Sequence, residues 1–232
     1  MIVIKIADIP IGIDNRYKYV ENLSRDYLTY EPPVFTVAAT DLDIEREREA
    51  SGADFSDGYL EGVVVYRLIA ERLPEYEAVV FHGAVLSYNG CAYAFTAKSG
   101  VGKTTHTRLW LQEFDGAYYL NGDKPVIRLI DGVPCAFGTP WQGKENYGVN
   151  ESAPLVSIAL LERGDENSAR VVSPEIATMR FVKQIYIPKN PLCASLAMRL
   201  ANKIISTVRF VELKCNMHPE AAHVAKDVMI RH

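Results

Sequence analysis

The alternation of apolar and polar residues predicts short β-strands in the first part of the chain, over residues 2–6 and 34–38. Polar, tyrosine-rich stretches separate them. Most residues of 41–49 are charged, and both signs are present, which is typical of a helix with a face in contact with water. We therefore expect a strand-rich N-terminal subdomain over residues 1–55, packed on a main domain over residues 56–232.

A longer helix is predicted next. It begins near Ser56 and carries an apolar stripe of Leu60, Val64 and Leu68 at four-residue spacing. Pro74 cannot continue a helix, so the helix is expected to end just before it.

Two hairpins are predicted in the middle of the chain. Apolar runs over 78–88 and 91–96 flank Asn89-Gly90, a pair that readily adopts the positive φ angles of a two-residue turn. A second pair of this kind, Asp131-Gly132, predicts a hairpin over 126–137.

The last third predicts alternating strands and helices. A buried strand is expected over 155–161, and Ser173-Pro174-Glu175 is typical of a helix start. A helix over 192–205, a strand over 208–214 and a helix after Pro219 follow. The whole pattern predicts a mixed α/β (α+β) fold with a mixed sheet.

Composition narrows the class of protein. The chain has 232 residues and a formal net charge of −4, which disfavours nucleic acid as a partner. Its longest nearly apolar run, 153–161, is too short to cross a membrane, and the N-terminus does not look like a signal peptide. The four cysteines are scattered, which favours neither zinc nor disulfides. We expect a cytoplasmic protein, with a homo-oligomer left open.

The most informative motif follows the predicted strand 91–96. Residues 97–105 read A-K-S-G-V-G-K-T-T, a phosphate-binding loop (P-loop, Walker A) with Ala in the first position. Glycines let backbone N–H groups surround phosphate oxygens, lysine supplies a positive charge, and a threonine hydroxyl can ligate Mg²⁺. The predicted nucleotide-binding residues are Ser99, Gly100, Val101, Gly102, Lys103, Thr104 and Thr105.

The hairpin before this loop makes the neighbouring strand antiparallel, which argues against a GTPase-like or RecA-like sheet. With His82-Gly83 before the loop and an acidic motif at 121–125, the chain resembles the HPr kinase/phosphorylase catalytic domain and, more distantly, phosphoenolpyruvate carboxykinases. Segments 105–110, 138–144 and 211–215 are more similar to short bacterial HPr-kinase-like proteins. The resemblance covers about residues 55–232 and implies an HPr kinase/carboxykinase-like P-loop fold.

The resemblance implies an ATP- and Mg²⁺-dependent kinase that phosphorylates a hydroxyl, most of all a serine of a protein or peptide. It implies Asp123 as general base, Mg²⁺ ligand beside Thr104, or both, with Lys103 on the phosphates and His82 as the partner of Asp123. Gly122 stands where that family has the first of two adjacent aspartates. The signature associated with HPr docking and phosphorolysis is missing.

Several alternatives stay open at this point. Asp123 also suits a turn before Pro125, and His82 also suits an apolar core. His106 and Lys144 are candidates for contact with phosphate or acceptor, or else a structural helix residue and a solvated loop lysine. A nucleotide-binding regulatory module without turnover and a small-molecule kinase are the rival functions.

Overall fold

The computed structural model describes residues 1–98 and 100–230. Its strands are β1 (Ile2–Ile6), β2 (Ile9–Ile13), β3 (Phe35–Val37), β4 (Ala78–Val80), β5 (Ala84–Tyr88), β6 (Cys91–Thr96), β7 (Tyr118–Asn121), β8 (Val126–Ile130), β9 (Val133–Phe137), β10 (Ser152–Arg163), β11 (Ser168–Val171) and β12 (Arg209–Cys215). Its α-helices are α1 (Lys18–Leu23), α2 (Asp41–Ser51), α3 (Asp57–Arg72), α4 (Lys103–Glu113), α5 (Pro174–Phe181), α6 (Pro191–Thr207) and α7 (Glu220–Met229). Within the described residues, none of the helices combines the length and the apolar composition that crossing a bilayer requires.

Two sheets organise the strands, and the expected mixed α/β fold is confirmed. A small sheet has the order β1-β2-β3, and nine strands of the described residues form a larger one. The larger sheet runs β4-β8-β9-β10-β6-β5-β7, with β12 paired to β10 and β11 paired to β12. Strand β6 has a parallel neighbour, β10, on one side and an antiparallel neighbour, β5, on the other. The sheet is therefore mixed at the strand that leads into the glycine-rich loop.

Both predicted hairpins are confirmed. Strands β5 and β6 pair up to Tyr88 and Cys91, and Asn89 and Gly90 have φ values of +50° and +75° between them. Asp131 and Gly132 connect β8 to β9 with φ values of +50° and +80°. Turns of this kind need positive φ at both central positions, which Asn, Asp and Gly adopt at low cost.

The prediction of one strand over 78–88 is wrong. The run divides into β4, which pairs with β8, and β5, which pairs with β6 and β7. Between them, the amides of Phe81 and Gly83 donate to the carbonyls of Pro125 and Asp123. A Cβ at Gly83 would come within 2.4 Å of the Phe81 ring, so this break requires a glycine.

Strand β2 was absent from the sequence prediction. It forms a hairpin with β1 through Ala7 and Asp8, both of which have positive φ. Neither residue belongs to a strong turn pair such as Asn-Gly, so the local signal was weak. The strand is fixed instead by burial of Ile9, Ile11 and Ile13.

The larger sheet is covered on both faces. Helices α5 and α6 pack on one face through Phe181 and Ala201, and α4 and α7 pack on the other through Trp110 and Ala225. A further core lies between the small N-terminal sheet and α3, β4 and β8. This core contains Ile11 from the small sheet and residues after position 56, such as Val65 and Val126. The division at residue 55 stays a prediction.

Candidate nucleotide-binding cleft

Strand direction brings the three sequence motifs to one edge of the sheet. Strands β6 and β7 lie on either side of β5 and are both antiparallel to it. The glycine-rich loop after β6 and the turn after β7 therefore leave the sheet at the edge where β5 begins. His82 lies just before that start. Crevices outside strand ends are where ligands commonly bind in α/β sheets.

A cleft of about 1020 Å³ opens at this edge. The predicted site residues that line it are His82, Gly100, Gly102, Lys103, Thr104, Thr105, Asp123 and Lys144. Four lysine or arginine residues line the cleft (Arg67, Lys103, Lys124, Lys144), together with two carboxylates (Asp123, Glu145). A cleft with this surplus of positive charge favours an anionic ligand.

The glycine-rich loop leads directly into a helix. Gly100 and Gly102 have φ values of +78° and +121°, in the region that glycine adopts most easily. Helix α4 begins at Lys103, so its first N–H groups, which have no partner within the helix, lie at the loop. Ser99, which was predicted to contribute to this loop, lies outside the described residues.

Lys103 is the basic residue of the loop. Its ammonium lies 3.4 Å from the carbonyl oxygen of Ala97. Burial lowers its pKa, the negative charge of Asp123 opposes that shift, and the positive charge of Lys124 adds to it. A partly desolvated cation of this kind gains from an anion bound beside it.

The turn that carries Asp123 is held by buried polar side chains. The Asn121 carboxamide accepts from the amides of Asp123 and Lys124, at 2.9 and 2.8 Å, and donates to Thr139. The Thr139 hydroxyl donates to the Lys124 carbonyl at 2.7 Å. Asn121 and Thr139 are almost fully buried, so these bonds fix the backbone beneath the carboxylate.

The Asp123 carboxylate lies between two basic side chains. Its Oδ1 is 3.1 Å from Lys124 Nζ and 3.7 Å from His82 Nε2. Burial lowers the pKa of His82, and the charges of Lys124 and Lys103 lower it further, against the opposing effect of Asp123. At neutral pH the imidazole is therefore uncharged, and it borders the carboxylate without forming a close ion pair.

Gly122 occupies a position with little room for a side chain. A Cβ there would lie 3.1 Å from the Gln142 carbonyl oxygen and 3.3 Å from Tyr147. The Gly122 amide donates to the Tyr147 carbonyl at 2.7 Å, which keeps the 140–149 segment against the turn. A side chain at this position would require the 140–149 segment to shift by a few tenths of an ångström.

Two predicted contact residues lie in very different places. His106 is 2% exposed and does not border the cleft. Its Nε2 accepts from the Trp110 indole at 3.2 Å, and its ring packs against Phe95. The expectation that His106 touches phosphate or acceptor is corrected: this side chain belongs to the core below the loop. Lys144 is exposed at the mouth of the cleft.

Arg163 supports the loop from outside the cleft. It ends β10, which is parallel to β6, so the two strands finish at the same edge. Its guanidinium donates to the carbonyls of Gly100 and Val101, at 2.5 and 3.1 Å. Because a peptide group is planar and trans, the N–H of Gly102 points away from Arg163, to the opposite side of the loop.

Sequence reasoning missed Lys124, Arg163 and the cleft-facing side of α3. Lys124 was visible as the residue after Asp123, whereas nothing in the sequence links Arg163 to Val101, 62 residues earlier. The α3 residues Tyr59, Gly62, Val63 and Tyr66 line the cleft. Their spacing of three, four and seven residues defines a second helix face, which could have been recognised beside the stripe of Leu60, Val64 and Leu68.

The donor atoms fit a hard divalent cation. Thr104 and Asp123 offer oxygen ligands in the same cleft. Within residues 1–98 and 100–230, no cluster of three or more His, Cys, Asp or Glu side chains could hold a metal ion. Two protein oxygens suit Mg²⁺, which usually keeps several waters and takes further ligands from substrate phosphates.

No family model and no curated protein matches the chain. Among solved structures, the chain is similar to the Hpr(Ser) kinase/phosphatase from Coxiella burnetii. That match has 9% sequence identity and a TM-score of 0.38, and it covers 64% of this chain and 94% of the other. A likeness this low cannot support a function, which therefore depends on the residues of this chain.

Proposed function

We propose that the chain is an ATP- and Mg²⁺-dependent phosphotransferase that transfers the γ-phosphoryl group to a hydroxyl. The favoured acceptor is a serine hydroxyl of a protein or peptide. The observation that carries this proposal is that Lys103, Thr104 and Asp123 line one positively charged cleft. A cation for the phosphates, a hydroxyl for the metal and a carboxylate for the acceptor are the groups that this reaction uses.

The binding role belongs to the loop and the start of α4. The N–H groups of Gly102 and of the first turn of α4 would surround the β- and γ-phosphate oxygens, with Lys103 as a point charge among them. Mg²⁺, held by Thr104 and Asp123 together with phosphate oxygens, would neutralise charge on the phosphates. Loss of solvent around Lys103 strengthens its interaction with an anion.

The chemical role belongs to Asp123. Its carboxylate would accept or orient the proton of the attacking hydroxyl, while the oxygen–phosphorus bond forms and the bond to the leaving diphosphate breaks. The bonds from Asn121 and Thr139 keep the backbone of this turn in place during the step. Neutral His82, 3.7 Å away, borders the carboxylate without adding a second positive charge.

The experiment is a calorimetric titration with Mg²⁺–ATP, followed by an assay of ADP release with and without serine-containing peptides. Binding of Mg²⁺–ATP together with peptide-stimulated ADP release is the expected result. The Lys203→Ala variant changes an exposed lysine on α6 outside the cleft. It is the control for loss of a lysine charge, and it should bind Mg²⁺–ATP and release ADP as the parent does. Tight binding without ADP release for any acceptor would instead identify a regulatory module, and a chain that does not bind ATP would refute both.

A further inference from the structure

Helix α3 has two apolar faces. Leu60, Val64 and Ile69 lie on the buried face, in the core of the protein. Tyr59, Val63 and Tyr66 lie on the other face, which borders the cleft. Tyr59 is 37% exposed, whereas Tyr66 is half-buried and also packs against the core that contains Ile11. A helix whose second face is rich in rings and points into a cavity has surface available for a ligand.

Neighbouring rings extend this face along the cleft as two pairs. We use the term aromatic wall for Tyr19, Tyr59, Tyr66 and Trp141, which all line the cleft. Tyr19 packs edge-on against Tyr59 with ring centroids 5.8 Å apart, and Tyr66 lies 5.2 Å from Trp141.

Gly62 lies between the Tyr19–Tyr59 pair and the Tyr66–Trp141 pair of the aromatic wall. A Cβ at this position would lie 3.0 Å from the Tyr19 ring, so glycine allows Tyr19 to approach the helix closely. The carbonyl of Gly62 also accepts from the Trp141 indole at 3.4 Å. The wall is thus fixed to α3 on both sides of this residue.

The aromatic wall continues from the Asp123 side of the cleft. Tyr66, Trp141 and Asp123 line the same cleft, and a Cβ at Gly143, two residues after Trp141, would lie 3.0 Å from the Cβ of Asp123. Burial raises the pKa of Tyr66, and the negative charge of Asp123 raises it further. The cleft volume of about 1020 Å³ is slightly larger than that of most small-molecule sites, which is about 300–1,000 Å³. There is room for a second ligand beside the one that the loop would hold.

We infer that the aromatic wall binds the acceptor, and that the acceptor carries an aromatic group next to its reactive serine. The inference rests on the proposed function, because it takes Asp123 as the group that meets the acceptor hydroxyl. Aromatic rings recognise other rings through stacking and edge-to-face contacts, and they bury much apolar area.

The test measures binding of two peptides in the presence of Mg²⁺ and a non-hydrolysable ATP analogue. The probes are acetyl-Gly-Ser-Phe-Gly-amide and acetyl-Gly-Ser-Ala-Gly-amide, titrated by calorimetry. The phenylalanine peptide should bind about tenfold more tightly to the parent. Tyr59→Ala should reduce this preference about fivefold, whereas Tyr59→Phe should retain it. Tyr30→Ala changes a fully exposed tyrosine that does not line the cleft, and it is the control for folding and ring content.

Each outcome decides the inference. Equal affinity of the two peptides, or binding of neither, overturns it. Weaker Mg²⁺–ATP binding by Tyr59→Ala also overturns it, because the wall would then hold the nucleotide base. A peptide preference that follows the Tyr59 variants while Mg²⁺–ATP does not bind at all would support the aromatic wall and refute the proposed nucleotide function.

Discussion

The two sides of the cleft are built in different ways. The phosphate side is formed by two short segments, residues 100–105 after β6 and residues 122–124 after β7. The aromatic side takes Tyr19 from α1, Tyr59 and Tyr66 from α3, and Trp141 from a loop. One side offers charge and backbone N–H groups, and the other offers rings. The groups for phosphate are therefore encoded locally, whereas the opposite wall exists only once distant parts of the chain pack together.

The largest effect on the phosphate side is expected from Asp123→Asn. This substitution keeps the shape of the side chain and removes its charge, so Mg²⁺–ATP should still bind through the loop. Turnover should fall by about 10²–10⁴, the usual contribution of a positioned acid or base. Gly122 leaves no carboxylate next to Asp123 in the sequence, and Glu145, the other carboxylate that lines the cleft, is paired with Arg108, so the loss should lie near the upper end. The measurement is ADP release per folded molecule at several Mg²⁺ concentrations.

The matched control is Asp115→Asn, which changes an exposed aspartate outside the cleft. It should leave turnover unchanged. Turnover of Asp123→Asn within a few fold of the parent at saturating Mg²⁺ would reduce Asp123 to a turn residue and leave the cleft without an identified catalytic group.

A smaller effect is expected from Lys103→Ala, which tests nucleotide binding instead of turnover. A hydrogen bond to a charged group contributes about 1.5–3 kcal/mol, so affinity for Mg²⁺–ATP should fall about ten- to hundredfold. The melting temperature should change little, because the lysine points into a cleft and burial already lowers its pKa. An unchanged dissociation constant in a calorimetric titration would contradict the loop assignment.

The core below the phosphate side contains a buried histidine, His106. Burial lowers the pKa of this histidine to about 4, from an ordinary value of 6.5. Between these values the unfolded chain binds a proton that the folded chain does not, so the fold loses stability as the pH falls. The loss should be about 2 kcal/mol of unfolding free energy between pH 7 and pH 5.

Urea unfolding at the two pH values measures this loss. His106→Gln removes this titrating group and should reduce the pH dependence by about 2 kcal/mol, while His82, whose pKa is also lowered by burial, still contributes in the same direction. His218→Gln, at an exposed position after β12, should retain it. Equal pH dependence in the parent and in His106→Gln would mean that another group destabilises the fold in acid.

Sequence patterns predicted the elements whose signals are local. The turns at Asn89-Gly90 and Asp131-Gly132, and the helix start at Pro174, have chemistry that acts within a few residues. The break at His82-Gly83 was missed, because it depends on which strands pair with each half of an apolar run.

The candidate site shows the same limit. Most of its predicted residues were found from contiguous motifs, and they line one cleft because β6 and β7 run in the same direction. The burial of His106 could not be predicted, since the residue follows the loop in sequence but faces Phe95 and Trp110 in the fold. Arg163 is joined to the loop only by the pairing of β10 with β6.

The smallest loss of Mg²⁺–ATP affinity is expected from a substitution at Arg163. It tests whether the glycine-rich loop keeps its shape without contacts from a distant part of the chain. Its guanidinium holds the carbonyls of Gly100 and Val101 on the outer side of the loop. Arg163→Gln should loosen the loop and weaken Mg²⁺–ATP binding about two- to tenfold, which corresponds to about 0.5–1.5 kcal/mol for a hydrogen bond. Arg170→Gln, on β11 and paired with Glu212, removes an equal charge without touching the loop and should bind like the parent. If both variants lose affinity equally, Arg163 acts only through its charge; if Arg163→Gln binds as the parent does, the loop keeps its shape without support from β10.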